Sequence, residues 1–376
     1  MAPILQKITG LHFLFSLLLA ALILACVPPD SFKKDPNLPN PGFRVEGNRS
    51  DLQRPARKGE QAYPGPVFDA HVHLDPPVMG IQKRPLQEMI EAMDRAGVVS
   101  MIVMPVPNEG HIAQGGGSIG AEQRRTLRRI GGEKIKLFCG SDYISNWLHQ
   151  AYHAGYREGE LQEVLGQLAQ ELDDPDCAGI GEIGLYHFNK DRHQNVIEYS
   201  PAFEPFLRIV GLIARKGAWM DLHAEPVDPD GKSYEEQVFG GLELIFQKFP
   251  NLKLIVSHTG MTHSSNARRI LKRYPNVMMN FKPIKRHELW RNLEPVTNAR
   301  GRLYRDWAEL FEEMPERFMV GTDEKFGRVE KGGHGRQGVE PVDYGRKVQQ
   351  MRKILGCLEP GAAEKIAWQN AKRIFK

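Results

Sequence analysis

Histidines and carboxylates recur in this sequence at spacings that suit a metal site. His71 and His73 lie two residues apart in an apolar segment, and side chains at that spacing project from the same face of a strand, so one ion can bind both imidazoles. The other candidate ligands, in chain order, are Glu182, His223, His258 and Asp323. Four imidazoles and two carboxylates suit Zn²⁺ or a similar divalent ion, with Mn²⁺ and Fe²⁺ as the alternatives.

Short apolar segments alternate with helical patterns through most of the chain, which is typical of a parallel sheet built from βα units. The predicted strands are 67–73, 98–104, 135–140, 179–185, 218–223, 252–258, 277–281 and 317–322. Helical patterns between them include 85–96, 118–130, 160–172, 201–216, 234–248 and 267–274. Because eight strands close a barrel, the predicted fold class is α/β, a (β/α)8 TIM barrel, and a doubly wound open sheet is the alternative.

The candidate ligands coincide with the carboxyl ends of predicted strands, where a (β/α)8 barrel builds its active site. Taken alone, each has a simpler interpretation as a hydrogen-bonded structural group or as the N-cap of the next helix. Six ligand-type residues at matching strand ends are hard to explain as six independent caps, so a metal site is favoured. Asp69 shares the inward parity of His71 and His73, and we predict a structural role for it.

The segment from Phe68 to His73, with a histidine after the fifth and sixth strands and an aspartate after the eighth, resembles the amidohydrolase superfamily. Linking motifs resemble its amidohydrolase-related branch, also called amidohydrolase 2. These motifs are 249–254 leading to 257–260, 275–277, 315–318 leading to 321–323, and a final helix over 370–375. The resemblance spans roughly residues 67–375 and implies a metal-dependent enzyme.

The segment 179–185, with Glu182 at its centre, departs from that branch. It is similar to the fourth-strand motif of the TatD-like metal-dependent hydrolases, in which the Glu bridges two metal ions. The resemblance therefore implies two ions, because a carboxylate can span ions about 3.5–4 Å apart. The implied ligand sets are His71, His73 and Asp323 for the more buried ion and His223 and His258 for the outer ion, with Glu182 shared. The alternative for Glu182 is a group behind the ligands or a salt-bridge partner.

The activity that these residues favour is hydrolysis of a small-molecule amide, ester, lactone or phosphoester by a metal-activated water. Asp323 would act as the general base, which is the usual role of the eighth-strand Asp in the families that this chain resembles. One alternative is a mononuclear decarboxylase or hydratase, since such activities occur in the same branch. Another is a non-catalytic surface lipoprotein that keeps the barrel as a binding module.

Basic residues after the seventh predicted strand suggest an anionic substrate. Lys282, Lys285 and Arg286 fall at the rim of the predicted barrel, where Lys282 or Arg286 could hold a carboxylate or phosphate. The simpler interpretation is a solvated turn. His187, five residues after Glu182, is a further candidate for substrate contact.

Composition narrows the class of protein. With 26% charged and 41% hydrophobic residues, the 376-residue chain is not a disordered polypeptide. Lys and Arg number 50 against 46 Asp and Glu, so the net charge of +4 gives little reason to expect a nucleic-acid partner, and it disfavours a TatD-like nuclease. The four cysteines lie far apart, so any metal must be held by His and carboxylate.

The N-terminal residues predict export and anchoring. Residues 1–25 contain an apolar run after Lys7 and are typical of a signal peptide, and Cys26 stands where a bacterial lipobox places its acylated cysteine. An uncleaved anchor or a plain signal peptide is the alternative. Residues 26–66 are rich in proline and predict a tether, which leaves 67–376 as the barrel domain. We therefore expect a membrane-anchored lipoprotein of the bacterial cell envelope, located in the periplasm.

Overall fold

A computed structural model describes residues 61–74, 83–107, 121–188, 196–228, 230–282, 296–298, 300–326 and 344–375, together with Leu38. The predicted signal peptide, Cys26, most of the predicted tether and Arg286 lie outside these residues. The chain divides into two compact units, Met1–Pro36 and Asn37–Lys376, and all described residues belong to the second. Within the described residues, we find no helix with the length and apolar character that crossing a membrane requires.

The strands of the described residues are β1 (Val67–Leu74), β2 (Val98–Pro105), β3 (Ile135–Gly140), β4 (Gly179–His187), β5 (Ile197–Glu198), β6 (Trp219–Ala224), β7 (Lys253–Val256), β8 (Val277–Phe281), β9 (Phe318–Val320) and β10 (Glu324–Phe326). Their order in the sheet is β10-β1-β2-β3-β4-β6-β7-β8-β9, and every pair in this order is parallel. The short β5 lies off this path and pairs antiparallel with β4.

The last strand segment, residues 318–326 with β9 and β10, closes the barrel. β9 and β10 are separated only by residues 321–323, and β9 pairs with β8 whereas β10 pairs with β1. The two edges of the sheet are thereby joined through one chain segment, which an open doubly wound sheet does not allow. The predicted (β/α)8 TIM barrel is confirmed.

The described helices are α1 (Lys83–Ala96), α2 (Ala121–Gly131), α3 (Ser141–Ala154), α4 (Glu158–Asp173), α5 (Glu204–Lys216), α6 (Glu235–Lys248), α7 (Ser264–Arg273), α8 (Arg305–Glu313), α9 (Tyr344–Leu355), α10 (Pro360–Glu364) and α11 (Asn370–Ile374). Helix α5 shows why such segments are helical. Pro205 fits its first turn, Gly217 at φ 64° ends it, and Phe206, Ile209 and Ile213 are buried along one face.

One apolar cluster fills the interior of the barrel below the candidate ligands. It joins residues from six strands to the last residues of the chain, namely Phe68, Ala70, Ile102, Met104, Phe138, Ile255, Met278, Met319, Ala371 and Phe375. A larger cluster lies between the strands and the surrounding helices. The polar ligands therefore sit at one end of a dry and closely packed interior, which holds their positions.

A disulfide links β3 to the segment that precedes β4. Cys139 of β3 is bonded to Cys177, which precedes β4, with the Cα atoms 6.1 Å apart. Cys357 is a free thiol.

Candidate metal centre

The structure brings the six predicted ligands together at the carboxyl end of the barrel. His71 Nε2 lies 3.2 Å from His73 Nε2, and His73 Nε2 lies 3.3 Å from Asp323 Oδ1. Two ligand atoms on one tetrahedral ion are separated by about 3.4 Å when both bonds are about 2.1 Å. The imidazoles and Glu182 are buried, whereas the Asp323 side chain is 19% exposed.

Glu182 lies between two groups of imidazoles. Its Oε2 is 3.4 Å from His73 Nε2, whereas its Oε1 is 2.8 Å from His223 Nδ1 and 3.5 Å from His258 Nε2. Oε1 also lies 3.5 Å from His71 Nε2. Oε2 thus borders one group of imidazoles and Oε1 borders both groups, a placement that a carboxylate shared by two ions can adopt.

Two ligands occupy left-handed backbone conformations. His258 has φ 54° within the tight turn Ser257–Met261, and Asp323 has φ 50°. Their backbone N–H groups donate to Asn280 Oδ1 at 2.9 Å and to the His71 carbonyl at 2.9 Å. The predicted strands 252–258 and 317–322 end earlier, at Val256 and Val320. His258 cannot belong to the first because a left-handed residue cannot continue an extended strand, whereas the second ends before Asp323 is reached.

Groups behind the imidazoles fix which ring nitrogen faces the cluster. His73 Nδ1 lies 3.1 Å from the Pro105 carbonyl, so it must carry the ring proton and leave Nε2 free for an ion. His71 Nδ1 lies 3.5 Å from Asp221 Oδ2, and Ser257 donates to the other oxygen of Asp221. The sequence analysis missed Asp221, although its spacing of two residues from His223 on one strand repeats the pattern of His71 and His73.

Asp69 stabilises the last strand segment, but its side chain does not lie on the face of β1 that the sequence predicts. Its carboxylate accepts hydrogen bonds from the backbone N–H of Thr322 at 2.9 Å and from the Thr322 hydroxyl at 2.6 Å. Burial raises the pKa of Asp69 to about 6 although these hydrogen bonds oppose the rise. The register between β1 and β2 shifts between Asp69 and Val72, so the predicted shared parity of Asp69 with His71 and His73 is wrong. Its predicted structural role fits these contacts.

Lys282 lies against the candidate general base. Its Nζ donates to Asp323 Oδ2 at 2.7 Å, and Lys347 Nζ donates to the backbone carbonyl of Asp323 at 2.8 Å. Burial alone would raise the pKa of Asp323, but the charge of Lys282, with contributions from the nearby imidazoles of His258 and His73, outweighs it and holds that pKa well below its usual value. The predicted anion-binding lysine is thus engaged with a carboxylate of the chain itself.

A second carboxylate lies on the other side of His223. Glu225 Oε1 is 3.0 Å from His223 Nε2, and the ring of His187 lies edge-on to that of His223 with centroids 4.6 Å apart. Burial lowers the pKa of His223, but Glu182 and Glu225 together outweigh it and raise that pKa to about 9. The sequence analysis missed Glu225, which the two-residue spacing from His223 could have indicated.

The charges of the cluster suit a divalent cation. Buried carboxylates are costly unless cations or hydrogen bonds compensate them, and Glu182, Asp221 and Asp323 face one group of imidazoles. Burial and the nearby Lys282 hold the pKa of His258 well below its usual value, so this imidazole is neutral, as a metal ligand must be. The donor set of imidazole nitrogens and carboxylate oxygens therefore fits Zn²⁺, Mn²⁺ or Fe²⁺.

Comparison with known proteins identifies the family. A family model described as amidohydrolase matches residues 187–376, which include His223, His258 and Asp323. Among curated proteins, the search found no match.

Solved structures with similar folds include an uncharacterized TIM-barrel protein from Bordetella bronchiseptica, with a TM-score of 0.51, 14% identity and coverage of 82% of this chain and 98% of that chain. Weaker similarities reach 2,6-dihydroxybenzoate decarboxylase from Rhizobium (TM-score 0.45, 14% identity, 83% of this chain and 98% of that chain). They also reach 4-oxalomesaconate hydratase from Rhodopseudomonas palustris (TM-score 0.47, 11% identity, 82% and 95%). The first similarity supports the barrel, and the family match covers half of the sequence. The chain belongs to the amidohydrolase family.

Proposed function

We propose that this protein is a metal-dependent hydrolase that holds two divalent ions, with Zn²⁺ favoured over Mn²⁺ and Fe²⁺, and that acts on a small-molecule amide, ester, lactone or phosphoester. The observation that carries this proposal is the position of Glu182. Its Oε2 lies 3.4 Å from His73 Nε2, and its Oε1 lies 3.5 Å from both His71 Nε2 and His258 Nε2, so the carboxylate borders ligands assigned to each ion. A carboxylate so placed can bind two ions about 3.5–4 Å apart.

The ligands would divide as the sequence suggests. His71, His73 and Asp323 would hold the more buried ion, and His223 with His258 would hold the outer one. The hydrogen bonds of His73 to Pro105 and of His71 to Asp221 leave the Nε2 atoms of both rings directed at the cluster.

Asp323 would carry the proton that hydrolysis must move. When bound, the ions would lower the pKa of a water and polarise the scissile C=O or P=O group. The Asp323 side chain is 19% exposed whereas those of His71 and Glu182 are at most 3% exposed, so Asp323 is the ligand that a substrate can reach. Its carboxylate would accept the proton of the attacking water and return it to the leaving group.

One contact favours the mononuclear alternative, a decarboxylase or hydratase. The 2.8 Å distance between Glu182 Oε1 and His223 Nδ1 is that of a direct hydrogen bond and is shorter than the 3.2–4.0 Å separations among the other facing ligand atoms. His223 can therefore neutralise Glu182 without a second ion. The number of tightly bound ions separates the two reactions.

We also propose that the protein is exported and anchored through Cys26, without a nucleic-acid partner. The disulfide between Cys139 and Cys177 supports an oxidising compartment, because disulfides are rare in reducing cytosol.

Elemental analysis of the purified protein tests the proposed function. After reconstitution with Zn²⁺ and dialysis against metal-free buffer, the wild type should retain two ions per chain and Glu182→Gln should retain one. Glu198→Gln, a carboxylate of β5 outside the cluster, is the matched control and should retain two. A wild type that never exceeds one ion contradicts the two-ion hydrolase and favours the decarboxylase or hydratase.

A further inference from the structure

A second set of potential ligands lies on the other side of His223 from Glu182. His187, His223 and Glu225 each offer a ligand atom, and these atoms lie within 4.8 Å of one another. Two imidazoles and one carboxylate form a donor set that divalent Zn²⁺, Fe²⁺ and Mn²⁺ accept. His187 and Glu225 belong to none of the ligand sets assigned above.

The β ladder holds these three residues in place. His187 ends β4, His223 lies on the adjacent β6, and Gly184 is the register partner of His223. Glu225 is fixed at two further points, since its N–H donates to the Tyr186 carbonyl at 2.8 Å and its Oε2 accepts from the Phe188 N–H at 3.2 Å. Its Oε1 is thereby held toward His223.

His187 carries a polar atom that lacks a protein partner. Its Nδ1 is buried and makes no hydrogen bond within the described part of the chain. A buried polar atom without a partner costs free energy, which a bound cation or water would recover. The His187 side chain is partly exposed and that of Glu225 is 11% exposed, whereas those of Glu182, His223 and His258 are at most 4% exposed. His187 and Glu225 are thus nearer to solvent than the ligands proposed for the outer ion.

The two carboxylates around His223 suit either position of its ring proton. Nδ1 lies 2.8 Å from Glu182 Oε1, and Nε2 lies 3.0 Å from Glu225 Oε1. A neutral imidazole has one unprotonated nitrogen, so it binds an ion through only one of the two at a time. When an ion binds Nε2, the proton stays on Nδ1 and is donated in a hydrogen bond to Glu182. When an ion binds Nδ1, the proton stays on Nε2 and is donated in a hydrogen bond to Glu225.

From this geometry we infer that His187, His223 Nε2 and Glu225 form a loading position through which the outer divalent ion enters and leaves the centre. This inference rests on the proposed second ion. On transfer the ion leaves Nε2, which takes a proton from water, and it binds Nδ1, which releases its proton to water. The net charge of the ring is unchanged. The two positions exclude each other, so the chain still holds two ions at equilibrium.

Rates of metal uptake and release test the loading position, because an intermediate position changes both rates and leaves the equilibrium constant unchanged. Metal-free protein is mixed with excess Co²⁺ and uptake is followed by visible absorption, and release is followed after addition of a chelator. His187→Asn should slow uptake and release of the outer ion by at least about tenfold. This value is the lower end of the range seen when a group around a metal site is removed. The final ion count and the dissociation constant should stay at the wild-type values. His153→Asn, whose imidazole Nε2 lies 3.1 Å from the Glu198 carbonyl, is the control.

Equal rates in His187→Asn and wild type would overturn the inference, and so would loss of the outer ion at equilibrium, since that would make His187 a permanent ligand. Glu225→Gln provides a second variant in case His187→Asn does not fold, and it should slow both rates as well. The ion count from the same samples keeps the proposals apart. A count of two with unchanged rates rejects only the loading position, and a wild-type count of one rejects the second ion itself.

Discussion

Lys282 Nζ donates a 2.7 Å hydrogen bond to Asp323 Oδ2, so a basic residue predicted to bind substrate touches the predicted general base. The contact therefore links the predicted binding of an anionic substrate to the predicted proton transfer. An anionic group of a substrate could bind Lys282 only by sharing it with Asp323 or by displacing it.

Lys282→Ala should lower kcat, because Asp323 loses the charge that holds its carboxylate in place. We expect a decrease of roughly 10–100-fold, as for loss of other groups that orient metal ligands. Steady-state kinetics on the best substrate from a screen of lactones, esters, amides and phosphoesters measures it. Lys216→Ala, which removes a surface ion pair with Asp173, should behave as wild type. A rise in KM at constant kcat would instead support the anion-binding role of Lys282, with Arg286 as its second candidate.

Asp323→Asn should lower kcat by roughly 10²–10⁴-fold, since an amide cannot accept the proton. Asparagine tolerates the left-handed backbone at φ 50°, so the variant keeps the local fold. Single-turnover kinetics would show the loss in the chemical step. Asp173→Asn on the outer helix α4 is the control, and wild-type turnover in Asp323→Asn would exclude this residue as the base.

Asp221→Asn should weaken metal binding by roughly 10–100-fold, because His71 loses the acceptor of its Nδ1 proton. Competition with a chelator of known affinity measures the change. Asp94→Asn removes an exposed partner of Lys134 and should leave the affinity unaltered. An unchanged affinity in Asp221→Asn would mean that Asn280, whose Nδ2 lies 3.2 Å from His71 Nδ1, alone orients the ring.

In wild type, Glu171 should make the free energy of unfolding fall as the pH rises, and Glu171→Gln should remove this contribution. Burial, with Asp142 nearby, raises the pKa of Glu171 to about 7, and Arg124 opposes this only in part. Between the unfolded value near 4.5 and about 7 the folded state keeps a proton that the unfolded state has lost, so the free energy of unfolding falls as pH rises. Denaturant unfolding at pH 5 and pH 8 should show a smaller decrease in Glu171→Gln than in wild type, by up to about 3 kcal/mol. Parallel decreases would contradict the assignment.

Cys26→Ser should move the protein from the membrane fraction to the soluble periplasm, because a serine cannot carry the lipid of a bacterial lipoprotein. Metabolic labelling with a radioactive fatty acid checks the attachment directly. Cys357→Ser, which changes a free thiol of the barrel domain, should keep the label. An unlabelled wild type would favour a plain signal peptide or an uncleaved anchor.

The clustering of the six candidate ligands could be predicted from sequence because their spacing carries information that the fold preserves. His71 and His73 keep a common face, and strand ends in a barrel converge on one site. The groups behind them could not be predicted in the same way. Asp221 and Glu225 each face the imidazole nitrogen that does not face Glu182, and only the packed structure shows which nitrogen that is.

Local backbone departures explain the remaining differences. The register shift beside Asp69 changes the parity that a regular strand would give. The left-handed residue His258 shortens one predicted strand, and the left-handed Asp323 lies between β9 and β10. Non-glycine residues rarely adopt such a conformation unless tertiary contacts impose it. These contacts join residues distant in sequence, so pattern alone does not reveal them.

The closure of the barrel gives metal binding a consequence for the lifetime of the protein. Candidate ligands stand on both sides of the junction between β1 and the last strand segment, and the Asp69–Thr322 contact across it joins positions 253 residues apart. Ordering so long a loop costs entropy, and an ion bound to His73 and Asp323 would add its binding free energy to that closure. In metal-starved cells, the last strand segment would then separate from β1 more often, and proteases would cleave the chain there first. Scarcity of metal would lower the amount of this protein as well as its activity.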